Sequence, residues 1–314
     1  MPARRFAPPF LVLALLAGLL VPMARADARV ETRVRTRLGG ALGGVANLFA
    51  GRQAKEGIVT VEMVAGDRML TRSGRHGQIV DLGEEKAWDV DFKRGRVVSE
   101  TTFDELRRQF AEVREVLSGQ AESDGDATPD VEIEVSVEDG GETAEILGHE
   151  ARKKVVRVVA HRRGVPLEKG GGAVLEADVW LGPELAPIEE VEAFQRRYAA
   201  AIGLPGAGPA GDSPAIARDA ALVRVMKAFE EQAADWKGSA LRTRMSVWTV
   251  GGAAAEERPK GLGGMLGRLG RRKKKAKEDD GPAGGRLVLR VESEVTAVSD
   301  ELPAGALDLP GGGS

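Results

Sequence analysis

The sequence predicts an α+β fold, an antiparallel meander of short strands with a few helices inserted between them. Three observations predict it. Short strand-like runs recur at regular spacing, parted by polar turns. One of them, Val131-Glu132-Ile133-Glu134-Val135-Ser136-Val137-Glu138, alternates strictly, as a strand with one buried and one wet face must. Three longer stretches carry apolar residues at helical spacing, and two of these open on a recognisable start signal.

The elements follow in order. Arg4 and Arg5, the apolar run Phe10 to Val21 and the small-x-small site Ala24-Arg25-Ala26 have the order of a cleavable export signal. Cleavage after Ala26 starts the mature chain at Asp27, and cleavage after Ala28 also fits. The apolar run is shorter than the roughly 20 residues of a spanning helix. Residues 27–56 read as a Gly/Ala-rich N-terminal segment. The folded domain is expected over 57–250 and 286–310. A Gly-rich basic excursion occupies 251–285, and 311–314 form a tail.

Within the domain, Ile58 to Val64 and Arg68 to Arg72 read as strands around a Gly66-Asp67 turn. Gln78 to Asp81, Ala87 to Asp91 and Arg96 to Glu100 continue the meander. Thr102 with Glu105 forms a capping box, and Phe103, Leu106, Phe110, Val113 and Leu117 make one apolar stripe behind it. Asp139-Gly140-Gly141 reads as the turn that ends the alternating strand. Lys153 to His161, Val174 to Leu181, Leu241 to Val250 and Arg286 to Val298 are further strands. Pro187 to Ile202 reads as a helix with Ile188, Val191, Phe194, Tyr198 and Ile202 inward. Ser213-Pro214 opens another that runs to about Trp236.

Composition excludes several classes. The chain has no cysteine, so disulfides, thiolate metal sites and a lipidated N-terminal cysteine are out. The formal net charge is −3, and the signal holds Arg4, Arg5 and Arg25 without an acid, so the mature chain is more acidic still. An acidic, exported chain does not fit nucleic acid. Aromatics are only 4%, too few to favour stacking on sugars or bases.

No catalytic signature is present. The three histidines, His76, His149 and His161, stand apart from one another and read as surface residues. Asp89 and Asp91 alternate around Val90 and read as a solvated strand face. Gly261-Leu262-Gly263-Gly264-Met265-Leu266-Gly267 lacks both the dinucleotide glycine order and a phosphate-loop Lys-Ser or Lys-Thr. The chain is therefore read as a non-enzyme with no cofactor and no metal; the alternative, a hydrolase of unrecognised type, would need His149 or His161 beside a carboxylate in a cleft.

Four segments carry a family resemblance: Val59 to Ser73, Val97 to Leu106, Glu145 to Val156, and the ending Leu302-Pro303-Ala304-Gly305-Ala306-Leu307-Asp308-Leu309-Pro310. Together they resemble a secreted bacterial domain of unknown function that is similar to the lipoprotein-localisation-carrier (LolA-like) superfamily. The resemblance implies a strongly curved antiparallel half-barrel with helices packed on its concave side. In the carriers, the space between sheet and helices holds acyl chains. This chain departs from them in its few aromatics and in the excursion at 251–285.

On that reading the protein is periplasmic or secreted and binds a lipid or another apolar ligand, in a cavity lined by residues such as Val59, Val61, Trp88, Phe103, Phe110 and Ile133. An alternative is an envelope interaction protein. Leu262, Met265, Leu266 and Leu269 recur at helical spacing and precede Arg271, Arg272, Lys273, Lys274 and Lys275, which suits an anionic membrane surface or a partner. A solvated linker is the competing reading of that segment, because glycine costs a helix roughly 1 kcal/mol per residue.

Overall fold

A computed structural model describes residues 27–39, 57–112, 131–203, 220–233, 236–251 and 281–311. The expected export signal, and the basic excursion except for its two ends, lie outside the described residues. The strands are β1 (Ala28–Leu38), β2 (Ile58–Ala65), β3 (Arg68–Ser73), β4 (His76–Asp81), β5 (Lys86–Asp91) and β6 (Arg96–Thr102). They continue with β7 (Val131–Ile146), β8 (His149–Arg162), β9 (Gly172–Leu181), β10 (Ala240–Val250) and β11 (Gly285–Ser299). The helices are α1 (103–112), α2 (Leu167–Gly170), α3 (Ala186–Ala201) and α4 (Ala220–Ala233).

All strands join one open, curved 11-stranded antiparallel sheet in the order β6-β5-β4-β3-β2-β1-β11-β10-β9-β8-β7. The first and last strands pair at its centre. Two meanders, β1–β6 and β7–β11, therefore spread outward from a seam made by distant parts of the chain. This corrects the sequence reading of 27–56, since Ala28–Leu38 is not a Gly/Ala-rich lead-in but a central strand. Its alternation of Val30 and Val34 with Glu31, Arg33 and Arg35 is the signal that composition masked.

The capping box forms as its spacing requires. Glu105 Oε2 accepts from the Thr102 amide at 2.8 Å, and Thr102 Oγ1 accepts from the Glu105 amide at 3.3 Å. The turn expected at Asp139-Gly140-Gly141 does not form. β7 runs on through a bulge there, and the hairpin turns at Leu147-Gly148, both at positive φ. Extending the strand places Ile146 in the core beside Ala151, and that burial selects the register.

Residues directly opposite in antiparallel strands share a face, so the register traces each face across the sheet. Val156, Ala177, Met245, Val291 and Thr36 are successive partners from β8 to β1. On β1, Thr36 is in step with Val30 and Ala28, and Ala28 partners Val64. α3 packs on Ala28, Val30 and Val64 through Ile188, Val191 and Phe194. α4 packs on Val156, Val158 and Leu175. Both helices thus lie on one face of the sheet. The opposite face of β2–β5 (Met63, Leu70, Ile79, Trp88, Val90) is covered by Leu302, Ala306, Leu307 and Leu309 of the C-terminal tail.

Candidate functional site: an apolar floor open at one edge

On the helix-bearing face, β7 to β11 form an apolar floor. β7 presents Val131, Ile133, Val135 and Val137, and β8 presents Val156, Val158 and Ala160. β9 adds Ala173, Leu175, Ala177 and Val179, β10 adds Met245 and Val247, and β11 adds Leu289 and Val291. Strands buried on this face read as Val-rich runs because branched side chains fit a pleated surface. From α4 and the chain after it, Val225, Ala228, Phe229 and Trp236 pack against this floor, with Phe229 and Trp236 edge-to-face at 6.1 Å.

The floor is not finished at its outer margin. Val156 and Val158 are fully buried, but their neighbours on β7 are not. Ile133 remains 37% exposed and Val135 42%. The apolar surface therefore runs from dry core to solvent without a change of chemistry.

The same face of the other meander differs. Its innermost row, Val64-Met69-Val80-Ala87, is apolar and packed in the core. The next row is Glu62-Thr71-Gln78-Asp89-Ser99. It is polar and internally bonded: Gln78 donates to Asp89 at 3.3 Å and Ser99 donates to Asp89 at 2.6 Å. Gln195 of α3 donates to Glu62 at 2.8 Å. Burial pushes the Glu62 carboxyl up, and the Gln195 bond only partly offsets it.

A second feature lies on the face away from α3 and α4, beside α2. A cleft of about 420 Å³ is lined by Glu134, Arg157, Val159, His161, Val165, Leu167 and Glu168, among others. His161 was expected at the surface and is instead buried, 9% exposed. Its Nδ1 lies 3.0 Å from the carbonyl oxygens of both Arg162 and Val165, and its Nε2 lies 3.0 Å from Glu134 Oε1. Every neighbour is an acceptor, so the ring fits as an imidazolium donating from both nitrogens. The bond to Glu134, ahead of the opposing burial, raises the imidazole above its ordinary value. His76 is exposed and accepts from Arg75 at 2.7 Å, and His149 begins β8. Among the described residues no group of three His, Asp or Glu side chains could hold a metal ion.

Asp91 also departs from its reading as a solvated strand residue. It is buried and accepts from the amides of Lys93 and Arg94 at 3.0 and 3.2 Å, closing the β5–β6 turn. Asp89 stays exposed, as expected.

The six residues expected to line one cavity fall in separate places. Val61 and Trp88 pack with the C-terminal tail, and Phe103 and Phe110 with the central core. Val59, 36% exposed, lies on the Trp88 side of the sheet, opposite the floor. Only Ile133 belongs to the floor. Leu262, Met265, Leu266, Leu269, Arg271, Arg272, Lys273, Lys274 and Lys275 lie outside the described residues. What sequence reasoning missed is the floor itself, from Val156 through Leu175 to Val247. Its signal was present as period-two apolar spacing in consecutive strands, but the joining of those strands into one face depends on pairing.

No family model matches the chain. A stretch of 175 residues, 54% of this chain, is 27% identical to a proteasome-associated ATPase of Streptomyces coelicolor, and the match spans only 29% of that protein. The Gly-x-x-x-x-Gly-Lys-Ser/Thr order that cradles nucleotide phosphates does not occur in this sequence.

Proposed function

We propose that the protein is a non-enzymatic, exported binding protein that holds a lipid acyl chain, or another elongated apolar ligand, between α4 and the floor of β7–β11. The observation that carries the reading is the continuity of that floor: a five-strand apolar surface, part covered by one helix, that meets solvent at Ile133 and Val135. Placement of α3 and α4 on one face of a curved sheet supports the half-barrel with helices on its concave side that the LolA-like resemblance implies. The bonded polar row of the other meander gives an apolar chain no comparable surface there.

Each methylene moved from water onto the floor contributes about 0.8 kcal/mol. Association costs at least about 4 kcal/mol, so long chains are favoured over short ones. The test is extraction and mass spectrometry of the mature protein purified without detergent, followed by titration with a fluorescent long-chain fatty acid. A stoichiometric lipid, and uptake weakened about tenfold or more in an Ile133→Glu, Val135→Glu variant, are expected. An empty protein that takes up no probe would remove the reading.

A further inference from the structure

β7 ends the sheet, so one side of its backbone has no strand partner among the described residues. Edge strands are ordinarily guarded by brevity, a lysine, a proline or a bulge, because unpaired amides and carbonyls template another strand. β6, the opposite edge, is only 7 residues long, whereas β7 has 16. From Val131 to Glu138, β7 has no lysine and no proline, and its bulge lies beyond, between Asp139 and Thr143. Its exposed apolar pair, Ile133 and Val135, is what a neighbouring strand would cover.

The other side of the same strand carries Glu132, Glu134, Ser136 and Glu138. Two of these acids brace the strand: Glu134 on His161 at 3.0 Å, and Glu132 on the Gly164 amide at 3.4 Å. A carboxylate accepts about four hydrogen bonds, so both keep capacity for a partner. Glu138 adds a third acid on the same side. A second copy of β7 would set acid against acid across the new ladder, which like charges disfavour. A strand with basic residues on one face and apolar residues on the other matches both sides at once.

We infer that the outer edge of β7 accepts, as a twelfth strand, an extended partner segment that alternates basic and apolar residues. Main-chain bonds to the edge supply affinity, and the alternation supplies selection. This goes beyond the apolar-ligand reading and does not depend on it.

Hydrogen–deuterium exchange on the full chain tests it, with a peptide of alternating lysine and valine and, for comparison, one of alternating glutamate and valine. The lysine peptide is expected to slow exchange in 131–139, and the glutamate peptide is not. A Glu132→Lys, Glu138→Lys variant should bind the lysine peptide about tenfold more weakly and favour the glutamate peptide. Unchanged exchange in the rest of the sheet would show that variant folded. No slowing in 131–139 at saturating peptide, equal slowing by both peptides, or slowing confined to other strands would overturn the inference.

Discussion

The two meanders share one sheet, yet they finish their apolar surfaces in different ways. In β2–β5 the large apolar side chains (Met63, Leu70, Ile79, Trp88) point away from the helices, and the chain's own C-terminal tail closes over them. The helix-side face of the same strands turns polar after one row. In β7–β11 the floor residues point toward α3 and α4, and α4 covers them in part, leaving Ile133 and Val135 in solvent, while Val159, Val174, Trp248, Val250 and Leu287 make a separate buried cluster on the other face. Apolar side chains reach solvent in both halves, at Ile58, Val59 and Val98 in the first and at Ile133 and Val135 in the second, but only the second pair continues an apolar row across several strands. In the second half, Ile133 and Val135 end a buried apolar row while remaining partly in water.

That contrast can be broken or sharpened by substitution. The largest effect is expected in the tail-covered half. Trp88 is 4% exposed and donates from Nε1 to Glu100 at 2.8 Å. Trp88→Ala should lower unfolding free energy by about 3–5 kcal/mol in a urea titration. A loss under about 1 kcal/mol would show that the tail does not seal this half.

An intermediate effect is expected at His161, which ties β7 to the end of β8. Its raised proton affinity means that the folded state binds the proton more tightly than the unfolded state. The resulting stabilisation is full below the ordinary imidazole value and is lost as pH rises through the raised one. Glu134 is largely exposed, so solvent screening holds the contribution to about 1 kcal/mol. Stability of the natural chain should fall over that window, whereas a His161→Gln variant should show no such step. Equal pH profiles for the two would remove His161 as a brace of the edge strand.

The smallest effect is expected at the open margin. Ile133→Thr, which keeps the β-branched shape, should lower stability by about 1 kcal/mol or less, because the side chain is already partly in water. The same change should weaken fatty-acid uptake. A stability loss as large as that of Trp88→Ala would mean that the margin is ordinary core.

Much of the scaffold was legible in single stretches. The alternation from Val131 to Glu138 located β7, the pair Thr102 and Glu105 located the start of α1, and Ile188, Val191 and Phe194 located the buried side of α3. The errors have a common cause. Gly140 and Gly141 look like a turn because glycine serves bulges and turns alike, and only the burial of Ile146 chooses between them. Val59, Val61, Trp88 and Ile133 look alike in sequence, since period two says that a residue is on a face without saying which face.

By itself the sequence determined the class of the fold, most of its strands, its helix starts and the absence of thiol chemistry, because each rests on contacts or chemistry within a few residues. Only the tertiary structure decided the rest. Pairing of Ala28–Leu38 with Gly285–Ser299 seals the centre of the sheet across nearly the whole chain. Register across five strands gathers Val137, Val156, Ala177, Met245 and Val291 onto one surface. Acceptors from β7 and from the turn after β8 converge on His161. No local pattern can encode these outcomes, since a strand's face and its neighbours are properties of the sheet it joins.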